Sequence, residues 1–243
     1  GLSQYLPQWV QDGGVAAMLG RIRDPDQRRR ARQDMAQGNF GGVPWTWDRI
    51  VVSAMGADAN HDVVGRSLEE IAAARNEDPV ETTLALIDEE DNHIAIVAHN
   101  RLESDVRTFM AHPQTMIGSD GLAISPTGAW SKDQPHPRFY GTFPRVLGYY
   151  VRDGGVLTLE TAVYKMTGFP ARRLGLRDRG RVAEGLVADL VVFDPTTVID
   201  RATFDQPHVL TEGISHLLVN GVPVIADSAH TGARPGLVLR RAP

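Results

Sequence analysis

The feature that most constrains the fold is a change in the sequence pattern near residue 176. Before this point, short apolar segments such as residues 50–53 and 93–98 alternate with segments that carry helix signals. After it, strand patterns follow one another with almost no helix between them. Strands that alternate with helices are typical of βα units in a parallel sheet or barrel. The sequence therefore predicts an α/β domain over residues 1–176 and a separate small β domain over residues 177–243.

Capping residues set the boundaries of the helices predicted in the first region. Asp24 and Pro25 supply an N-cap and an N1 proline within a two-part helical stretch over residues 13–38. Ser67 begins a capping box that opens another helix, and Asp78 precedes a proline in the same way as Asp24. The remaining predicted helices lie at residues 104–111 (capped by Ser104), 141–152, 159–167 and 170–175. The remaining predicted strands lie at residues 115–118, 188–194, 214–220, 222–225 and 237–239, the third and fourth joined by an Asn-Gly hairpin turn.

Composition and charge limit the classes of protein to which this chain can belong. An apolar fraction of 42% is ordinary for a globular protein, and the net charge of −5 argues against nucleic acid as a main partner. No apolar run approaches the roughly 20 residues that a membrane span requires, so no membrane partner is expected. The chain has no cysteine, which excludes disulfides and thiolate metal ligands. We expect a cytoplasmic protein.

Two neighbouring segments carry the residues with the clearest chemistry. Gly118-Ser119-Asp120-Gly121 places an acid in a glycine-flanked turn, and His136-Pro137-Arg138 follows in a proline-spaced stretch. A carboxylate can take a proton from water, and an arginine can bind a substrate carboxylate through two hydrogen bonds. On the residues alone, other interpretations stay open: Asp120 could bond its own backbone in an Asx turn, and Arg138 could form a surface salt bridge.

The same segments carry a family resemblance. Together with residues 140–147 (Tyr-Gly-Thr-Phe-Pro-Arg-Val-Leu), they resemble the N-acyl-D-amino-acid deacylases, or D-aminoacylases. Residues 169–194 and Val219-Asn220-Gly221 resemble the carboxy-terminal signature of the amidohydrolase superfamily, to which those enzymes belong. Further similarity at residues 1–9 and 230–236 extends the resemblance over nearly the whole chain.

The resemblance implies a fold, a cofactor and a position within a longer protein. It implies a (β/α)8 TIM-like hydrolase barrel of roughly twice this length, with a zinc site at the carboxyl ends of the strands. This chain resembles the carboxy-terminal half only: residues 1–176 as the end of the barrel, with an inserted segment at about 40–100, and residues 177–243 as a small β-sandwich. In the family an early His-x-His pair, a cysteine and two later histidines hold zinc, whereas this chain has neither a His-x-His pair nor a cysteine.

The resemblance also implies an activity and the residues that carry it. The expected reaction converts an N-acyl-D-amino acid to a D-amino acid and a carboxylate, through a zinc-activated water. Asp120 matches the catalytic acid and base and is the one matching metal-site residue, while Arg138 matches the arginine that holds the substrate carboxylate. His136 and Ser53 are further candidates for substrate binding, although His136 could simply pack its loop.

Because most metal ligands are missing, we expect the chain alone to be inactive. The expected partners are the small-molecule substrate and either the missing amino-terminal half or further copies of this chain. Two alternatives stay open: a non-catalytic fragment that acts only with a partner chain, and an amidohydrolase of cyclic amides or ureides. The histidines at 61, 93, 99 and 112 match no compact zinc motif and are not predicted ligands.

Overall fold

A computed structural model describes residues 1–38, 42–56 and 58–240, apart from the side chains of residues 58 and 59. The chain divides into two compact units. The first contains Gly1–Asn100 and Ser125–His136, and the second contains Arg101–Ile124 and the chain from Pro137 onward. The predicted start of the inserted segment, at residue 40, lies outside the described residues. The predicted division of the sequence at residue 176 stays a prediction.

The described residues of the first unit form five α-helices: α1 (Gln8–Gln11), α2 (Gly14–Arg23), α3 (Pro25–Ala36), α4 (Leu68–Arg75) and α5 (Pro79–Glu89). Three of the five, α3, α4 and α5, begin where the capping residues predict. The Asp24 carboxylate accepts a hydrogen bond from the Gln27 N–H at 2.9 Å, and Asp78 caps α5 in the same way. Ser67 and Glu70 form the complete capping box of α4, with the Glu70 carboxylate accepting from the Ser67 N–H at 2.8 Å.

Helix α5 lies at the centre of the first unit. Leu84, Leu86 and Ile87 have no exposed surface, and these positions lie on different sides of the helix. Thr82 and Thr83 are also fully buried, and their hydroxyls donate to the Glu77 carboxylate at 3.1 Å and to the Pro79 carbonyl at 2.8 Å. The helix therefore buries apolar surface against its neighbours while each hydroxyl keeps a hydrogen-bond partner. It packs against α2, α3 and α4.

The two strands of the first unit pair antiparallel, which corrects the parallel pairing predicted from the sequence. Strand β1 (Ile50–Met55) pairs with β2 (Ile94–Ala98), and the register shifts between Val52 and Ala54. Two helices lie between these strands instead of one. A helical hairpin reverses the chain once more than a single crossover helix does, so β2 runs against β1. Ser53 is the extra residue of the resulting bulge.

The second unit combines short helices with one sheet. Its helices are α6 (Glu103–Ala111), α7 (Arg138–Arg145), α8 (Leu159–Met166) and α9 (Gly168–Leu174), and α7 continues into a π-helical segment at Val146–Asp153. The π-helical segment packs closely on the chain at Val198. A Cβ on Gly148 would lie 2.5 Å from the Val198 carbonyl oxygen, so this position requires glycine. None of the helices in the described ranges combines the length and apolar character needed to cross a bilayer.

The sheet of the second unit is antiparallel, with strand order β3-β4-β5-β6. Its strands are β3 (Leu190–Phe193), β4 (Ile214–Val219), β5 (Val222–Ala226) and β6 (Ala229–His230). The predicted hairpin between β4 and β5 is confirmed. Asn220 and Gly221 have φ angles of 49° and 79°, which is the left-handed pair that a type I′ turn requires.

Three local predictions are wrong. Residues 115–118 and 237–239 form no strand, since an extended segment becomes a strand only when another strand completes its hydrogen-bond ladder. Instead, the Ile117 N–H donates to the Lys165 carbonyl at 3.2 Å. Ser104 is not the cap of α6, which begins at Glu103 with Leu102 as its N-cap. The Tyr150 hydroxyl donates to the Glu103 carboxylate at 3.1 Å in this first turn.

Ser67→Ala is predicted to destabilise the first unit by about 1 kcal/mol, because it removes the hydroxyl that caps α4. The control is Ser3→Ala, which removes a partly exposed hydroxyl of the same unit that caps no helix and should change stability by less than about 0.5 kcal/mol. All four tryptophans belong to the first unit, so urea unfolding followed by tryptophan fluorescence reports on it directly. Equal losses in the two variants would contradict the capping role.

The same comparison has a predicted pH dependence. Hydrogen bonds from the Ser67 N–H and hydroxyl lower the pKa of Glu70 below its ordinary value of 4.5. A carboxyl with a lowered pKa in the folded state contributes stability above its unfolded pKa and loses it as the pH falls through the folded pKa. The stability difference between the parent chain and Ser67→Ala should therefore shrink as the solution is acidified below about pH 4.5.

Candidate functional site

The turn that carries Asp120 has an unusual backbone. Asp120 has a φ of 47°, in the left-handed region that costs a non-glycine residue roughly 1 kcal/mol. The Ser119 hydroxyl accepts a hydrogen bond from the Gly121 N–H at 3.2 Å and so tightens the turn. The Ser119 hydroxyl therefore bonds to the backbone of its own turn. The Asp120 side chain is 88% exposed, so solvent and ligands can reach its carboxylate.

Arg138 binds Asp120 at two points. Its Nη2 lies 2.8 Å from the Asp120 Oδ2, and its Nε donates to the Asp120 backbone carbonyl at 2.9 Å. The salt bridge that the sequence left open for Arg138 is thus formed, and its partner is the other principal candidate of the site. One guanidinium holds both the side chain and the backbone of Asp120.

Close packing brings the turn against the first turn of α7. A Cβ on Gly121 would lie 3.2 Å from the Arg138 carbonyl oxygen and 3.3 Å from the Phe139 Cα. Glycine at this position therefore lets the two segments approach closely. Arg138 is the first residue of α7, so its guanidinium reaches Asp120 from the start of the helix.

Helix α7 is fixed further along by contacts that the sequence did not indicate. The Tyr140 hydroxyl lies 2.9 Å from the His208 Nδ1, and the two rings meet edge to face. Burial raises the pKa of Tyr140. The Arg145 Nη1 lies 3.1 Å from the Oδ2 of Asp200, whose side chain is only 7% exposed. No sequence signal joins Tyr140 to His208, because 68 residues separate them.

Ser53 and His136 belong to the first unit, whereas Asp120 and Arg138 belong to the second. Ser53 is 5% exposed and lies at the bulge of β1, where its carbonyl accepts from the Gln134 N–H at 2.8 Å. Bulges often redirect a side chain next to an active site. His136 is half-buried and follows Gln134 by two residues, at the point where the chain leaves the first unit.

The other histidines have local partners. His61 lies 3.5 Å from Asp133 through Nε2 and Oδ1, and the His112 Nδ1 accepts from the Gln114 N–H at 3.3 Å. His93 approaches the Glu90 carbonyl. Local contacts are also made by His216 and His230.

Comparison with known proteins identifies the family. Residues 48–225 match the model of the amidohydrolase family. This chain belongs to the amidohydrolase family. It is 48% identical over 240 residues to an N-acyl-D-glutamate deacylase of Alcaligenes xylosoxydans xylosoxydans. That alignment covers 94% of this chain and 45% of the deacylase. The chain is 45% identical over 180 residues to a D-aminoacylase of the same organism, which covers 74% of this chain and 35% of the relative.

Solved structures agree with the family assignment. The structure of a D-aminoacylase with a binuclear metal centre is similar to this chain, with a TM-score of 0.66 at 42% identity. The match covers 76% of this chain and 36% of the D-aminoacylase chain. The N-acyl-D-glutamate deacylase of Bordetella bronchiseptica, in complex with zinc and a phosphonate inhibitor, matches 81% of this chain and 38% of its own, with a TM-score of 0.69 at 38% identity. The predicted family and the predicted α/β amidohydrolase fold class are therefore confirmed.

The described residues of this amidohydrolase chain do not by themselves fit a metal centre. Within ranges 1–38, 42–56 and 58–240, no group of three or more His, Asp or Glu side chains lies close enough together to hold a metal ion. Asp120 contacts an arginine, which is not a metal ligand. The chain also spans less than half the length of the relatives that it matches, 45% of the N-acyl-D-glutamate deacylase and 35% of the D-aminoacylase.

The contact between Asp120 and Arg138 is predicted to contribute little to global stability. Both side chains are partly or largely exposed, at 88% and 38%, and exposed ion pairs contribute about 0–1 kcal/mol. A double-mutant cycle of Asp120→Asn and Arg138→Gln should therefore give a coupling free energy of about 1 kcal/mol or less. Urea unfolding followed by circular dichroism measures it. The coupling should fall further in about 1 M salt, where the Debye length is near 3 Å.

The control for this cycle is Asp200→Asn, because the Asp200 side chain is only 7% exposed where it meets Arg145. Neutralising Asp200 leaves Arg145 without its charged partner. This change should lower the free energy of unfolding by more than either substitution at the exposed pair. A coupling free energy well above about 1 kcal/mol between residues 120 and 138 would instead mean that their ion pair stabilises the fold.

Proposed function

We propose that this chain supplies the proton-transfer acid and the carboxylate-binding arginine of an enzyme that hydrolyses N-acyl-D-amino acids to D-amino acids and carboxylic acids. One observation carries the proposal: Asp120 and Arg138 are in contact within a chain that is 48% identical to an N-acyl-D-glutamate deacylase over 240 residues. Such a pair offers a base for water and a binding group for a carboxylate substrate.

Asp120 is proposed to take a proton from the attacking water and to deliver it to the leaving amine. A carboxylate in this role has to be accessible to both groups, and the Asp120 side chain is 88% exposed. Its φ of 47° lies in the left-handed region, which aspartate tolerates better than most non-glycine residues. Strained backbone of this kind is concentrated at functional sites.

Arg138 is proposed to bind the α-carboxylate of the substrate. In the structure its Nη2 holds the Asp120 carboxylate, so a substrate carboxylate would compete with Asp120 for the same guanidinium. The bond from Nε to the Asp120 carbonyl involves the backbone and would keep Arg138 beside the turn during the exchange. Substrate binding would thereby release the Asp120 carboxylate from its ion pair and leave it to act as a base.

Ser53 and His136 are proposed as further substrate-binding residues. Ser53 is supported by its place at a bulge, and His136 by its position two residues before Arg138. The contact between Gln134 and the Ser53 carbonyl ties the segment that contains His136 to β1.

We infer that hydrolysis requires residues that this chain does not supply. The relatives are more than twice as long as their matched regions, and the described residues form no metal-binding group. The proposed partner is the amino-terminal region of the same enzyme, with a further copy of this chain as the alternative arrangement. The same observation favours a second candidate function, a non-catalytic chain that acts only through a partner. Cyclic amides and ureides are the alternative substrates.

The first prediction of this proposal concerns the chain alone and in combination. The purified chain should bind no stoichiometric zinc and should not hydrolyse N-acetyl-D-glutamate or other N-acetyl-D-amino acids. The chain should then be co-expressed with the part of the N-acyl-D-glutamate deacylase that precedes the region matched by this chain. This combination should restore both zinc binding and hydrolysis. Metal analysis and amine release measure the two properties. Zinc and turnover in the chain alone would contradict the predicted inactivity, and hydrolysis of only cyclic amides or ureides would reassign the substrate.

Two substitutions in the restored enzyme should have different kinetic effects. Asp120→Asn keeps the size and left-handed tolerance of the residue but removes the base, so kcat should fall by at least about 100-fold. Arg138→Met removes an ionic hydrogen bond to the substrate, so KM should rise by about 10- to 100-fold with a smaller effect on kcat.

The matched controls are Asp205→Asn and Arg173→Met, which alter exposed residues outside the proposed site. Both should leave kcat and KM within about twofold of the parent values. A restored enzyme that keeps full activity with Asp120→Asn would refute the proposed role of Asp120. A complex that binds metal but hydrolyses none of these substrates would support the non-catalytic alternative.

A further inference from the structure

Lys165 is a buried charged residue to which the proposed function assigns no role. It lies in the last turn of α8, and only 2% of its surface is exposed. Its Nζ donates a hydrogen bond to the Met110 carbonyl at 2.7 Å and another to the His112 carbonyl. Both carbonyls belong to the carboxyl end of α6, where the last carbonyls of a helix have no partner within it. The ammonium therefore satisfies two of these groups and complements the negative end of the helix dipole.

The backbone of Lys165 binds the same segment a second time. Its carbonyl accepts from the Ile117 N–H at 3.2 Å, and the Ile117 side chain packs on the cluster that contains Val146 and Tyr150. Residues 110–117 are thus fixed at three points by one lysine. Asp120 follows Ile117 by three residues, which span at most about 11 Å of extended chain.

We propose that Lys165 is a positioning residue for Asp120: it fixes the direction in which the chain leaves α6 and so places the turn that presents the carboxylate to Arg138. The inference rests on the function proposed for Asp120. The Asp120 side chain is largely exposed, so packing cannot hold it in place. The hydrogen bonds on either side of the turn, from Lys165 before it and from Arg138 after it, determine its position.

The choice of lysine supports this role. Of the 25 lysine and arginine residues in the chain, only two are lysines, Lys132 and Lys165. An ammonium is a compact donor that fits between two converging carbonyls, whereas a guanidinium is a wide planar fork. Burial lowers the pKa of Lys165, which means that its charged form is disfavoured by desolvation. The two carbonyl acceptors offset part of this cost.

The test compares three variants of the chain by two local measurements. Lys165→Met removes the donors with little change in shape, Lys165→Arg keeps the charge, and Lys132→Met is the control at the exposed lysine of the first unit. Lys165→Met should raise amide hydrogen exchange over residues 110–121 by about tenfold or more, with no change over α4 and α5. It should also shift the 13Cγ resonance of Asp120, which is assigned by its loss in Asp120→Asn.

Lys165→Arg should restore part of both signals, and Lys132→Met should change neither. A purely structural role would instead raise exchange across the whole second unit and leave the Asp120 resonance of the folded molecules unchanged. That result, or unchanged exchange and an unchanged resonance in Lys165→Met, would overturn the proposal. Neither measurement requires turnover, so the two proposals can fail separately. If the Asp120 resonance shifts but co-expression never produces activity, the proposed hydrolysis is refuted and the positioning role is retained.

A measurement on the unaltered chain covers the case in which Lys165→Met does not fold. Reductive methylation with 13C-formaldehyde labels both lysines, and mass spectrometry of their peptides reports the two rates separately. The held and buried amine of Lys165 should react at least about tenfold more slowly than that of Lys132. Equal rates would mean that the carbonyls of Met110 and His112 do not hold the ammonium, and would overturn the proposal.

Discussion

The burial of helix α5 is the constraint on which the first unit depends. Leu84, Leu86 and Ile87 are wholly removed from solvent, and burying a side chain of this type contributes about 1.5–3 kcal/mol. The surrounding helices α2, α3 and α4 pack against it. Because two helices, α4 and α5, separate β1 from β2, the strands meet antiparallel, and their register shifts at Ser53.

The turn at Asp120 obeys a different constraint, since an exposed carboxylate cannot be placed by apolar burial. Hydrogen bonds with the backbone hold it instead: the Ser119 hydroxyl accepts from the Gly121 N–H within the turn, and Arg138 donates to the Asp120 carbonyl. Lys165 fixes the segment before the turn. This arrangement leaves the carboxylate accessible and places a guanidinium beside it, as the roles proposed for Asp120 and Arg138 require.

Local sequence signals predicted the local structure well. The caps at Asp24, Ser67 and Asp78 form as predicted, since each depends on side-chain and backbone groups at most three residues apart. The predictions that depend on distant partners were less successful. Residues 115–118 form no strand because no strand lies beside them to pair, and the antiparallel pairing of β1 depends on how two intervening helices pack. Neither effect is encoded in a short stretch of sequence.

By itself, the sequence determined the family, the helix caps, the hairpin turn and the identity of Asp120 and Arg138 as candidates, because motifs and capping signals act over short distances along the chain. The tertiary structure alone decided that these two residues form an ion pair and that Lys165 holds the segment before them. Lys165 lies 53 and 55 residues from its two acceptors, and a hydrogen bond to a backbone carbonyl requires no particular side chain there. The sequence therefore carries no mark of that contact, which forms only when folding brings Lys165 to the carboxyl end of α6.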